Sequence, residues 1–268
     1  MNKEVTMLER KTPLEAELEK IKKQEDLYIK KHTDTSNSKL NQLLENKVPE
    51  KLQETLNAAF CKAFFLIFEK GTGIIEKTYK KEKLETDFKI NMYTATLKRN
   101  RKALKIFSKK ASGAANVNLV LCGVSGVGLG VLGIGIPDIA LFTGLLLKSL
   151  YEMSLHYGFN YEDTKERQFI LLLIQGALSH NEEFLQIDRE INLYTQTGNF
   201  SAEPDIDSCI TNTASCLSRE LLYMKFLQGI PIIGAFGGAF DAIYMKRVNK
   251  FAELKYRRRF LLEQLKNQ

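Results

Sequence analysis

This 268-residue sequence predicts an all-α fold, a bundle of about eight helices with two closely packed glycine-rich helical segments. Three observations carry that expectation. Strand signals, meaning alternating runs of β-branched and aromatic residues, are almost absent. Only 5 prolines interrupt the chain. Apolar residues recur three and four apart through most of its length, the period of one helix face. Hydrophobic residues at 44% and charged residues at 26% are those of an ordinary globular chain, which argues against wholesale disorder and against a polytopic membrane protein.

Taken in order, residues 3–31 read as a Lys/Glu-rich helix in which Met7, Leu14, Ile21 and Tyr28 recur every seven residues with Leu18 beside them. The seam is thin, because the other inward candidates, Glu17, Gln24 and Glu25, are polar. A solvated, partly frayed arm is expected in preference to a partner-seeking coiled coil. Thr33–Ser38 is a linker by composition, so the chain divides into a charged N-terminal helix and linker at 1–38 and a helical domain at 39–268. Pro49 suits a first helical position, and Leu52, Leu56, Ala59, Phe60, Ala63, Phe64, Ile67 and Phe68 follow as a wide apolar face. Gly71-Thr72-Gly73 ends that helix. Next comes a basic helical stretch holding Lys98, Arg99, Arg101, Lys102, Lys105, Lys109 and Lys110 with no acid among them, and with Leu97, Leu104 and Phe107 as its apolar stripe. Pro137-Asp138 opens a helix running to Tyr157, with Gly158 placed to take the left-handed C′ position. Asp163-Thr164-Lys165-Glu166 has the form of a capping box. Thr197-Gly198-Asn199 is a turn, Ile206 to Leu221 marks one more helix, and residues 232–266 read as a glycine-containing helix continuing into a basic one.

Charge is segregated. The net +7 divides into +1 over residues 1–75, +8 over 76–110, none over 111–137, −8 over 138–243 and +6 over 244–268. The basic stretches at 98–110 and 246–259 suit an anionic leaflet, where each cation contributes ~1 kcal/mol; a solvated face balanced by the acidic half is the plain alternative. Nucleic-acid binding is disfavoured, since no helix-turn-helix or RNP-like motif accompanies the charge.

The glycine segments bear on ligand and membrane alike. Gly128-Leu-Gly130-Val-Leu-Gly133 fits the GxGxxG pattern, but Pro137 interrupts the helix that should follow and no βαβ alternation exists, so a dinucleotide site is not expected. Six glycines at 123–135, if helical, cost up to ~5–6 kcal/mol relative to alanine. Close backbone approach is the expected offset, through Gly126 and Gly130 and again through Gly234 and Gly238. The uncharged runs around 117–136 and 226–240 are read as core segments, with shallow insertion the alternative.

Chemistry-bearing clusters are scarce. His32, His156 and His180 are isolated, and Cys61, Cys122, Cys209 and Cys216 form no CxxC pair, so buried thiols in a reduced, intracellular setting are expected and neither metal nor cofactor is. No secretory h-region opens the sequence. Asp138, Glu152 and Asp241 adjoin apolar segments; Glu152 is expected to pair with Arg257 or Arg259 as a register-fixing ion pair, and a hydrolase would need all three carboxylates to converge.

Several strings together resemble the EcsC protein family: Gly71-Thr-Gly-Ile-Ile-Glu-Lys-Thr-Tyr79, Gly133-Ile-Gly-Ile-Pro-Asp138, Tyr151-Glu152 leading to His156-Tyr157-Gly158-Phe159, Glu166-Arg167-Gln-Phe-Ile-Leu171, Gln228-Gly-Ile-Pro-Ile-Ile-Gly-Ala-Phe-Gly-Gly238 and Lys255-Tyr-Arg-Arg-Arg-Phe-Leu261. In these strings Gly71, Gly73, Pro137, Asp138, Glu152, Tyr157, Gly158, Glu166, Arg167, Pro231, Gly234, Gly238, Arg257 and Arg259 are the motif positions, and they cover about 50–268. The family is named for the third product of a bacterial operon whose other two products form an ABC-type transporter, and it has no established reaction. The resemblance therefore implies a helical, non-enzymatic accessory of transport or secretion at the inner face of the cell membrane, touching anionic lipid or a membrane-protein partner. An apolar-ligand or lipid-binding bundle, with a bound lipid, is the second expectation.

Overall fold

The computed structural model describes residues 11–33, 50–68, 72–124, 137–203, 205–228 and 238–267. Among them are ten helices and no strand, so the all-α expectation holds. We number them α1 (Pro13–His32), α2 (Glu50–Leu66), α3 (Thr72–Glu76), α4 (Lys81–Lys98), α5 (Arg101–Val124), α6 (Pro137–His156), α7 (Thr164–Leu178), α8 (Asn181–Thr197), α9 (Ile206–Gln228) and α10 (Gly238–Lys266).

The centre of the bundle is α7. Its run Phe169-Ile170-Leu171-Leu172-Leu173-Ile174 is apolar in every direction, and a helix with no polar side can only sit inside. It is packed by α8, α9 and α10, while α6 lies against α2, α4, α5 and α10. Gly176 lets α7 approach α10 closely: a Cβ there would stand 2.8 Å from the Phe251 ring and 3.3 Å from Ile187 Cγ2. Gly158 ends α6 with φ +83°, as its spacing after Tyr157 predicts, and its missing side chain makes room for the Phe88 ring. Gly198 closes α8 in the same left-handed way.

Three expectations are corrected here. The N-terminal helix is not a solvated arm. Its start is a complete capping box, with Thr12 Oγ1 accepting from the Glu15 N–H at 3.2 Å and Glu15 Oε2 accepting from the Thr12 N–H at 2.8 Å. The heptad residues Leu14, Ile21 and Tyr28 are buried, and so are Glu17 and Glu25 between them. Two of the three polar positions that made the seam look weak carry buried ion pairs, while Gln24 is exposed: Glu17 Oε2 accepts from Arg257, its Oε1 accepts from Arg101 at 2.7 Å, and Glu25 meets Arg258 at 2.9 Å and Lys255 at 3.1 Å.

The second correction concerns Asp163, whose side chain makes no capping bond. Glu166 turns into the core instead, where its oxygens accept from Tyr256 and from Arg259, each at 2.6 Å. A buried carboxylate gains more from a guanidinium and a phenol than from one exposed amide. Third, residues 98–110 are not one helix. Arg99 takes a left-handed conformation at φ 41° and closes α4, and Asn100 Oδ1 accepts from the Ala103 N–H at 2.9 Å to begin α5. The break shifts the helical phase, so the three residues of the expected stripe part company: Phe107 is in the core, Leu104 half-buried, and Leu97 is 66% exposed.

Candidate functional site

The motif positions separate into buried clusters, each joining distant helices. In the first, Arg259 lies over the rings of Phe159 at 3.7 Å, Tyr194 at 4.7 Å and Phe169 at 5.3 Å while it holds Glu166. Burial pushes the Glu166 carboxyl up and the Arg259 charge pulls against it. Glu152 forms another cluster, and its partner is neither Arg257 nor Arg259. It takes a hydrogen bond from Asn118 and faces Lys148, one turn earlier on α6, at 3.7 Å, while Lys148 Nζ donates to Asn118 Oδ1 at 2.7 Å. Arg257 and Arg259 are committed to Glu17 and Glu166. Burial raises the Glu152 pKa.

A further cluster brings together Glu76, the last residue of α3, with Tyr151 on α6 and Arg167 on α7. Tyr161 stacks on Tyr151 with centroids 4.2 Å apart and donates to Glu76 Oε1 at 2.5 Å. The Tyr151 hydroxyl and Arg167 Nε have no hydrogen-bond partner among the described residues. Arg167 lies 5.7 Å over Phe68. Tyr157 is buried beside Tyr256, and Gly73 is exposed with open space around it. These clusters tie distant helices together.

Gly71, Pro231 and Gly234 lie outside the described residues, as does the 125–136 glycine run. Pro137 and Gly238 are the first residues of α6 and α10, and the side chains of Asp138 and Asp241 are outside the description, so the convergence of Asp138, Glu152 and Asp241 is not among its findings. Among the described residues no group of three His, Cys, Asp or Glu is arranged to hold a metal. Burial pushes the Cys209 and Cys216 thiols up to about 11, which leaves them protonated and unreactive at neutral pH.

The outer surface is different. From Phe88 through Val124 the chain carries no acid, and the α4–α5 elbow gathers its cations. Arg101 is held by Glu17, and Lys110 by Asp87 at 3.4 Å, so two of the seven expected lipid-contacting cations are already answered inside the protein. Lys98, Arg99, Lys102, Lys105 and Lys109 are exposed and have no carboxylate partner among the described residues. Beside them runs a stripe the sequence reading missed. Helix α4 buries no residue completely; Leu84, Phe88, Met92 and Ala95 face the core half-buried, while Ile90, Tyr93 and Leu97 stand 57%, 69% and 66% exposed on its other side. The missed signal was that these seven residues are too many for one helical stripe.

Among the described residues no helix is long and apolar enough to cross a membrane. The profile of the EcsC protein family matches residues 14–261, starting inside the N-terminal helix rather than after it. The chain is 28% identical over 169 residues to a Bacillus subtilis (strain 168) protein named only as uncharacterized protein YdbA, across 59% of this chain and 57% of that one, so it spans little more than half of that relative's length. No solved structure matches it.

Proposed function

The chain belongs to the EcsC protein family, and from that premise we propose that it is a non-enzymatic accessory of ABC-type transport or secretion that rests on the anionic inner face of the cell membrane through the α4–α5 elbow. One observation carries the reading: a peripheral helix presents Ile90, Tyr93 and Leu97 to solvent beside five exposed cations that form no ion pair with an acid among the described residues. Apolar side chains flanked by lysine and arginine are what a helix lying in the headgroup layer requires. Five cations at ~1 kcal/mol each would dominate the attraction at low salt. The apolar stripe would retain part of it when salt screens the charge.

The absence of a reaction from this reading follows from where the candidate groups lie. Glu152 is engaged by Asn118 and Lys148 inside the core, and the described thiols are buried or half-buried. Flotation with vesicles of phosphatidylcholine, with and without phosphatidylglycerol, tests the proposal. The protein should float with the anionic vesicles at low salt and largely leave them at high salt, and Lys102→Glu with Lys105→Glu should abolish flotation. Equal indifference to both vesicles at low salt would overturn the membrane reading.

A further inference from the structure

A second basic feature lies at the opposite end of α1 from the elbow. Between the C-terminal turns of α1 and the first half of α10 is a cleft of about 730 Å³, within the range of small-molecule sites. No acid lines it. Three cations do, Lys31, Lys246 and Lys250, all exposed and without a carboxylate partner among the described residues. A fourth, Arg247, is already fixed, donating to Glu220 Oε2 at 3.1 Å and to His180 Nε2 at 3.0 Å. The same His180 nitrogen lies 3.6 Å from Glu220 Oε1.

The second histidine of the cleft completes the polar wall. The carbonyl oxygen of Tyr28 can only accept, so His32 Nδ1, 2.9 Å away, carries the proton and Nε2 keeps its lone pair. Burial holds His32 down at about 4, so it is neutral at physiological pH. The lips are apolar, with Leu27 69% and Ile243 50% exposed and Leu254 below them. Two large aliphatic side chains left in water beside three unanswered ammonium groups describe a complementary molecule.

We propose that this cleft binds a phosphate monoester carried on an apolar chain, with the phosphate against Lys31, Lys246 and Lys250 and the chain over Leu27 and Ile243. Lysine ammonium groups act on phosphate as point charges and tolerate a range of ester geometries. A lipid headgroup and a soluble alkyl phosphate share this chemistry. The site stands independently of the elbow, since the two lie at opposite ends of a 20-residue helix.

Isothermal titration of the full chain with hexyl phosphate, inorganic phosphate and hexanol tests the assignment without any membrane present. Hexyl phosphate should bind at least tenfold more tightly than inorganic phosphate, and hexanol should give no saturable heat. Lys246→Glu with Lys250→Glu should weaken hexyl phosphate at least tenfold, while Leu27→Ser with Ile243→Ser should bring it down to the affinity of inorganic phosphate. All these positions are exposed, and matching melting temperatures confirm that the variants fold. No binding of hexyl phosphate to the unaltered protein, binding insensitive to the lysine reversals, or equal affinity for inorganic phosphate would each overturn the proposal. Dihexanoyl phosphatidic acid matching hexyl phosphate identifies a lipid as a fitting source, and its exclusion a soluble ester. The elbow variant Lys102→Glu with Lys105→Glu should retain full binding; loss there would place the site wrongly.

Discussion

Residues 98–110 and 246–259 each carry seven cations on helical backbone, and the fold treats them in opposite ways. In the second stretch Arg247, Lys255, Arg257, Arg258 and Arg259 all meet carboxylates, and Lys255 is almost wholly buried between Glu25 and Asp188. In the first, only Arg101 and Lys110 form ion pairs among the described residues. The difference lies in what packs against each stretch. Helix α10 runs beneath α1, α7 and α8, which bring Glu17, Glu25, Glu166 and Asp188 to it. The elbow lies at the rim, where Glu17 is the one carboxylate of α1 to reach it. Identical charge thus becomes internal structure in one place and an outward surface in the other. The comparison stands only if the two sets of cations differ in what they contribute to stability.

The largest expected effect is at Arg259. Arg259→Ala leaves the Glu166 carboxylate buried beneath Tyr256 with no counter-charge, and removal of one partner from such a pair costs about 3–5 kcal/mol. Urea denaturation should show the unfolding free energy reduced by that amount, and Arg259→Lys should recover only part, because an ammonium cannot lie flat on Phe159 and Tyr194 as the guanidinium does. A loss no greater than that of an exposed lysine would erase the distinction between the two regions.

A smaller effect probes the underside of the α4–α5 hairpin. His156, at the end of α6, is held down at about 4, first by burial and then by the nearby Lys110 charge, with Asp87 pulling the other way. Its folded pKa lies below the unfolded value near 6.5, so its contribution to stability is complete above about pH 6.5 and is lost as pH falls towards 4. Between pH 7 and pH 5 that amounts to about 2 kcal/mol. His156→Leu should flatten the pH dependence of stability by this amount. An unchanged slope would mean that the hairpin does not seal His156 from solvent.

How much of this was legible in the sequence depended on the range of the interaction. The helices, the left-handed Gly158 and the turn at Gly198 rest on neighbours a few residues apart, and spacing alone finds them. The ion pairs do not: Glu17 meets Arg257 across 240 residues and Glu166 meets Arg259 across 93, so a sequence reading could weigh Glu17 only as a flaw in a thin seam. Glu152 illustrates the same limit from the other side, since an Arg was sought far away while Lys148 stood one turn back. The elbow escaped because its break, at Arg99 and Asn100, uses neither glycine nor proline, and the α4 outer stripe is visible only once α4 and α5 are separated. For the glycine run at 123–135 only its start, in the last turns of α5, is described; Gly176 is where close helix approach is seen.

The smallest expected effect on stability is also the sharpest test of the elbow. Lys102→Ala and Lys105→Ala remove exposed cations that meet no carboxylate among the described residues, and surface substitutions of this kind stay within about 0.5 kcal/mol. Together with Lys98, Arg99 and Lys109 they form a like-charged group, whose mutual repulsion is offset only in part by the attraction of Lys105 to Glu17. The double variant should therefore be as stable as the parent or slightly more so at low salt, with the gain vanishing as salt rises. Flotation on anionic vesicles should fall in the same variant. Unchanged stability with lost vesicle binding makes these cations surface equipment; a destabilisation of several kcal/mol would instead place them, like Arg259, among the groups that hold the bundle together.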